Sequence, residues 1–307
     1  MHVVVTGAAG FVGEALVAQL LLDAAVTRLS AVDQRFGPAT NAWRADPRVQ
    51  LHEGDFAAPA LLDAALATPA DRVFHLASVP GSLAEREPEL GRRVNLQATL
   101  ALFDRLAAGA RPARLVFASS IAVYGALPPD TAVHESTPPA PALSYGAHKL
   151  MAEVQLADLS RRGLLDGVSL RLPGIVARPA SPTGHGSAFM SDLIRHAAAG
   201  TPYDCPVSAE ARCWWMSRRC CVRNLLHAAL LDTRRLPPQR VVQLPVIAAT
   251  VQAVATAAGR QPQVRFQPNE ALEAIFGRMP PLNTPLAREL GFVDDGSLHD
   301  LTQRALT

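Results

Sequence analysis

A phenol, an amine and a pair of serines stand at spacings that suit proton transfer. The run "SYGAHKLMAE" places Tyr145 and Lys149 one helical turn apart, so a helix here puts both on one face. A free tyrosine ionises near pH ~10, and an ammonium group beside it favours the phenolate, which makes it a usable base. Upstream, "FASSIAVYG" closes a strand-like run with Ser119 and Ser120. A hydroxyl at a strand end can orient a substrate oxygen. Alone, a tyrosine and a lysine at this spacing are commonly surface residues; the sheet that precedes them gives the pair its weight.

Glycines supply a second set. "TGAAGFVG" places Gly7, Gly10 and Gly13 between the first strand and the first helix. At such a turn the backbone can approach a pyrophosphate whose charge rests on the helix N-terminus. Asp33 ends the second strand about twenty residues further on. A carboxylate there can accept hydrogen bonds from both adenosine-ribose hydroxyls and repels a 2′-phosphate, which favours NAD over NADP. Arg35 reads as a solvated surface residue. Asp55, ending the third strand, reads equally as an adenine-edge contact or as a turn or helix-start aspartate.

These groups need a scaffold, and the alternation of elements supplies one. Strand patterns fall at 2–7, 28–33, 49–55, 72–78, 114–120 and 167–176, with helix patterns near 11–24, 59–67, 89–109 and 143–163. Nearly continuous apolar strands between amphipathic helices predict an α/β, Rossmann-type doubly wound parallel sheet of order 3-2-1-4-5-6. After residue 176 the pattern breaks into a Pro/Gly/Ser loop at 178–187, a helix near 222–232 and a late return strand at 241–245. Helices near 247–258, 285–290 and 298–306 follow. The expected division is a cofactor-binding domain at 1–176 with return elements near 222–245, and a smaller C-terminal substrate lobe from 177–221 and 246–307.

Composition narrows the partners. The chain has 307 residues, 49% hydrophobic and 18% charged, enough for a sizeable core in a globular protein. A net charge of +2 without like-charge runs offers no footprint for nucleic acid or an anionic membrane. No apolar stretch reaches spanning length and no signal-type segment precedes the first strand, so a cytoplasmic location is expected. All four cysteines lie in "CPVSAEARCWWMSRRCC", Cys205 to Cys221. With no Cys-x-x-Cys pair, they read as free thiols filling apolar space, and no metal site is expected. The helices at 89–109 and 143–163 would suit a homodimer if one face of each is not needed by its own sheet.

Gly7-Ala-Ala-Gly10-Phe-Val-Gly13, "HLAS" at 75–78, Asn95, "SSIAVYG" and Tyr145-x-x-x-Lys149, in that order, resemble the extended short-chain dehydrogenase/reductase superfamily. That group contains nucleotide-sugar epimerases and dehydratases, and the match covers roughly residues 1–176. The resemblance implies a catalytic set of Ser120, Tyr145 and Lys149, with Ser119 a strand-end hydrogen bonder. It implies a cofactor shell of Gly7, Gly10, Phe11, Val12, Gly13, Asp33, Asp55, Phe56, Leu76, Ala77, Asn95, Tyr145, Lys149 and Pro173.

Nucleotide-sugar members usually carry an Arg-Tyr-Phe-Asn-like run after the sixth strand; here it reads Arg171-Leu172-Pro173 with no asparagine. The runs "SYGAHK", "LADLSRRGLLDGVSLRLPGIVARP" and "SPTGHGSAFMSDLIRHAAAG" are instead similar to a branch acting on free sugar acids, the D-erythronate dehydrogenases. That resemblance implies oxidation of the C2 hydroxyl of a four-carbon aldonate to the 2-keto acid, with Tyr145 as base; the alternative is a nucleotide-sugar epimerase or dehydratase with bound NAD. Ser78, Ser120, Ile121, Tyr145, Ser187, Trp214, Ser217 and Arg219 are the implied substrate contacts. A carboxylate beside C2 calls for a bidentate arginine. Of Arg171, Arg178, Arg212, Arg218 and Arg219, the expected clamp is Arg219 ahead of Arg212. The chain departs from the branch at Trp215-Met216-Ser217-Arg218-Arg219, where the branch tends to read His-Ala-Ser-Pro-Arg.

Overall fold

The run His2-Val-Val-Val-Thr6 has little to offer water, and it becomes the centre of the main sheet, buried at all its positions. The structure is a computed structural model and describes residues 1–179, 186–259 and 263–306. Seven strands form the sheet: β1 (His2–Thr6), β2 (Arg28–Asp33), β3 (Val49–Glu53), β4 (Arg72–His75), β5 (Arg114–Ser120), β6 (Asp166–Leu172) and β7 (Val241–Gln243). Their order is β7-β6-β5-β4-β1-β2-β3, the expected doubly wound arrangement with the return strand at one edge. Strand β1 is parallel to both neighbours, with Val5 opposite Ala31 of β2 and Phe74 of β4. Phe103, Phe117, Leu102, Leu115 and Leu156 build a core against this sheet.

Proline decides where the sheet stops. The pattern at 167–176 predicts one strand, but the structure breaks it at Pro173, which has no N–H for a ladder. Asp166–Leu172 remain in the main sheet as β6, while Gly174–Val176 pair in parallel with Arg212–Ser217. The chain divides into two compact units close to this break. The first contains Met1–Ser119, Ala147–Arg171 and Leu225–Val242; the second contains Ser120–Gly146, Leu172–Asn224 and Gln243–Thr307.

In the second unit a three-stranded sheet orders Ile247–Thr250, Arg212–Ser217 and Gly174–Val176. Trp215, Phe189, Leu193, Val254 and Leu301 form its core with Cys205 and Cys213. Helices Ala188–Ala199, Val251–Ala258 and Leu298–Leu306 pack with it. Residues 180–185, most of the expected Pro/Gly/Ser loop, lie outside the described residues. Among the described residues no helix is long and apolar enough to cross a membrane.

The helix Ser144–Arg161 carries a buried charge cluster under β5 and β6. Arg171 donates from Nε (3.0 Å) and Nη2 (2.8 Å) to the two carboxylate oxygens of Glu153, and Ser119 Oγ donates to the same carboxylate at 2.5 Å. The side chains of Arg171 and Glu153 are only 7% and 2% exposed. One turn before Glu153, Lys149 Nζ donates to the Ala118 carbonyl at 2.8 Å and lies 4.8 Å from the centre of the Phe117 ring. Burial pushes its amine down to about 7, opposed in part by Glu153.

Two outcomes follow from this cluster. Arg171→Met leaves Glu153 charged and buried, and is expected to cost about 3–5 kcal/mol of unfolding free energy; adding Glu153→Met should restore most of it. Urea denaturation of the three variants checks this, and additive losses would contradict it. For Lys149, the unfolded chain binds a proton that the folded chain refuses between about 7 and the ordinary 10.5. The wild type therefore loses stability relative to Lys149→Met as pH falls through that window, by up to about 1.4 kcal/mol per unit, and the gap levels off below it. A gap independent of pH would mean that the folded amine is charged throughout.

Candidate active site

The glycine turn is built for close approach. Gly7 has φ 72°, and a Cβ there would lie 2.7 Å from the Ala77 nitrogen at the end of β4. A Cβ on Gly13 would lie 2.1 Å from the Gly7 carbonyl oxygen, so helix Phe11–Leu21 seats directly on the turn. Gly10 is exposed at the N-cap and no side chain caps the helix there. Phe11 and Val12, both half-buried, form its first turn. An N-terminus without a side-chain cap, approached over bare backbone, is a seat for an anion.

Asp33 fixes the other side of this turn. Its carboxylate accepts from the Ala9 amide at 2.8 Å and the Gln34 amide at 2.7 Å. Partial burial raises its pKa, and these amides with that of Arg35 oppose the rise. Arg35 itself is exposed. Asp55 accepts from the Ala57 amide at 2.9 Å and pairs with Arg93, which holds its carboxyl below the usual range. These contacts place it in the turn before the helix Pro59–Ala65. Phe56 is buried and stacks on His75 at 5.2 Å. Glycine cradle, uncapped helix end and strand-end carboxylate together fit a dinucleotide.

Asn95 sits in a widened turn, Arg93–Ala98, of the long helical run. It is 1% exposed and clasps the segment after β4. Its Oδ1 accepts from the Val79 amide at 2.7 Å and from Ser78 Oγ at 3.1 Å, while Nδ2 donates to the Val79 carbonyl at 2.9 Å. Leu76, Ala77 and Ser78 are half-buried in the segment so held.

Ser120 caps the short turn Ile121–Tyr124, its Oγ accepting from the Ala122 amide at 3.1 Å. Its O–H keeps its donor capacity. Gly146 brings the helix bearing Tyr145 against that turn, since a Cβ at this position would lie 2.2 Å from the Ala122 carbonyl oxygen. Ile121 and Tyr145 are both half-buried. Lys149, one turn beyond Tyr145, is the buried amine described above.

The tryptophan and cysteine segment, expected as a substrate wall, is buried in the second unit. Arg212–Ser217 is a strand, and Trp214 and Ser217 are 1% and 0% exposed. Trp214 Nε1 donates to the Pro280 carbonyl at 2.8 Å, and its ring meets Tyr124 edge-on. Ser217 Oγ donates to Asp295 at 2.5 Å and accepts from the Cys220 amide at 3.1 Å. Ser187 occupies the N-cap of helix Ala188–Ala199 but does not cap it with its side chain, and it is half-buried. Pro173 is buried at the strand break. The four thiols are buried; burial pushes Cys205 up to about 11 and Cys221 up to about 12. Among the described residues no group of three or more His, Cys, Asp or Glu side chains could hold a metal ion.

The arginines separate by environment. Arg171 is held by Glu153, whereas Arg212 and Arg219 are exposed and Arg218 is half-buried. Arg178, after the strand Gly174–Val176, is half-buried, and burial works against its charge while Tyr145 and Cys221 act on its ionisation. Sequence reasoning passed over Glu153, although it follows Lys149 by one helical turn. Asp295 had no local signal, being far along the chain from Ser217.

The chain matches the NAD dependent epimerase/dehydratase family over residues 3–228. It is 37% identical to a D-erythronate dehydrogenase of Cupriavidus necator, over 98% of this chain and 96% of that protein. A D-erythronate dehydrogenase of Haemophilus influenzae is 32% identical over 99% of this chain and 98% of that protein. The crystal structure of a nucleoside-diphosphate-sugar epimerase from Agrobacterium tumefaciens superposes with a TM-score of 0.88 at 32% identity, covering 99% of this chain and 92% of that one. A matched dinucleotide cradle and a match over most of the chain lead to one conclusion: the protein belongs to the NAD-dependent epimerase/dehydratase family, and its cofactor is NAD.

Proposed function

We propose that this NAD-dependent dehydrogenase oxidises the C2 hydroxyl of a small sugar acid, converting D-erythronate to 2-keto-D-erythronate. The observation that carries the reading is similarity along nearly the whole chain to two D-erythronate dehydrogenases, at 37% and 32% identity. In this reading Tyr145 takes the hydroxyl proton as the carbonyl forms at C2. Ser120 donates a hydrogen bond to the same oxygen and holds it toward the phenol. Lys149, with an amine pushed down to about 7, acts through its charge on the phenolate. NAD, when bound, accepts the hydride that leaves C2.

The cofactor's pyrophosphate is assigned to Gly7, Gly10, Phe11, Val12 and Gly13, and its adenosine ribose to Asp33. Asp55 and Phe56 are assigned to the adenine side; Leu76, Ala77, Asn95 and Pro173 support the nicotinamide side. Ser78, Ile121 and Ser187 are assigned to the substrate pocket. Residues 1–176 with 222–245 form the cofactor domain in this reading, and the remainder shapes the substrate lobe. Four buried thiols suit a reducing compartment, and the enzyme is assigned to the cytoplasm.

A nucleotide-sugar reading is favoured by the name of the Agrobacterium protein. Against it stands Gly174, the fourth position of the run that begins at Arg171. Glycine offers no side chain where nucleotide-sugar members carry a substrate-facing asparagine, and a Cβ there would meet the flexible end of Met190 at 2.5 Å.

Enzyme and NAD mixed with a panel of aldonates and of UDP- and dTDP-sugars should yield NADH from sugar acids, fastest from D-erythronate. Conversion of nucleotide sugars alone, with no net NADH, would overturn the reading. Tyr145→Phe should lower kcat on D-erythronate by about 10³-fold. Met151 and Val154, 46% and 64% exposed on the helix Ser144–Arg161, support a homodimer through that face. Light scattering should give twice the 32.6 kDa chain mass; a monomer mass would exclude the dimer.

A further inference from the structure

We infer that Arg178 is the residue that grips the carboxylate of the substrate, an assignment that rests on the sugar-acid reading above. The carboxyl carbon of an aldonate is bonded directly to C2. Whatever holds it must therefore lie beside the base that takes the C2 proton. Arg178 meets that requirement: Tyr145 is close enough to act on the ionisation of its guanidinium.

Among the described residues, no carboxylate acts on the Arg178 guanidinium. Tyr145 and Cys221 are, among the described residues, the titratable groups that act on its ionisation. Cys221 is pushed further from ionisation, to about 12, by burial. Burial meanwhile works against the guanidinium charge. Arg178 Nε is buried and has no hydrogen-bond partner among the described residues. A desolvated cation with an unused donor costs stability unless a partner arrives. A carboxylate is the partner that matches its planar fork, taking two parallel N–H bonds, one of them from Nε.

The backbone holds this side chain in place independently of the guanidinium. The Arg178 amide donates to Ser191 Oγ at 2.9 Å, and the Arg178 carbonyl accepts from Arg195, which also pairs with Asp192. The competing arginines are differently placed. Arg171 is closed off by Glu153 inside the first unit, Arg212 and Arg219 are exposed, and Arg218, half-buried like Arg178, has interactions of its own. A solvated arginine binds a carboxylate weakly, because both partners give up water to meet.

The test compares Arg178→Gln and Arg178→Lys with the wild type, using D-erythronate and D-erythronamide, the latter neutral at the same position. Arg178→Gln is expected to raise the KM for D-erythronate about 100-fold, with a smaller change in kcat; Arg178→Lys, which keeps the charge without the fork, about 10-fold. The wild-type preference for acid over amide should fall toward parity in Arg178→Gln, and added guanidinium should recover part of the lost rate. Thermal midpoints and NAD affinities near wild type show that the variants are folded; if Arg178→Gln is not, Arg178→Lys decides on KM and on the acid-to-amide ratio. A wild type that oxidises D-erythronate beside variants with unchanged KM and unchanged preference would overturn the clamp and leave the function standing. A wild type that oxidises no sugar acid would overturn the function, and the clamp with it.

Discussion

A buried amine whose desolvation outweighs the pull of its nearest carboxylate is the constraint on which this structure turns. Glu153 lies one turn from Lys149, but its two oxygens are taken by Arg171 and Ser119. The lysine donates to the Ala118 carbonyl oxygen and lies over the face of Phe117. Desolvation dominates and drives the amine to about 7, opposed in part by Glu153. Glu153 thus has two effects. It neutralises Arg171, which keeps β6 against the helix, and its residual field keeps Lys149 from falling further.

The strand ends face a related problem, since loops there must be held still without being filled. Side chains do this by bonding backbone. Asp33 binds the amide of Ala9 in the glycine turn, and Asn95 binds both polar groups of Val79. Each leaves surface above it free of bulk: bare glycine in one case, Ala77 and Ser78 in the other. The buried His75 serves the same end, its ring nitrogens bonded to Thr6 and Thr99 while Phe56 and Phe117 stack on its faces. Burial holds that imidazole neutral, so it adds no charge beside Lys149.

Local chemistry made much of this legible in the sequence. The strand order followed from apolar runs alternating with helices, and the glycine turn, Asp33 and the Tyr145–Lys149 spacing each depend on neighbours within a turn or a strand. What was not legible depends on contacts between distant segments. Pro173 was read inside a strand because the flanking residues are β-formers; only the pairing of Gly174–Val176 with Arg212–Ser217 reveals two strands. The "CWWMS" run had no polar alternation, so nothing in its pattern separated a pocket wall from a central strand. Its burial is settled by Asp295 and Pro280, residues far along the chain that take the Ser217 hydroxyl and the Trp214 indole.

The same limit explains the arginines. Sequence ranked Arg219 first because its neighbours resemble those of a known branch, but resemblance carries no information about solvation. A clamp needs its charge held out of water before the ligand arrives, so that the ligand rather than water completes it. An exposed arginine fails that condition however well its position matches. Arg178, with a buried Nε that lacks a partner among the described residues, meets it. Specificity for an acid then comes from the cost of leaving that donor unmet, and a neutral substrate forfeits the binding without any steric clash.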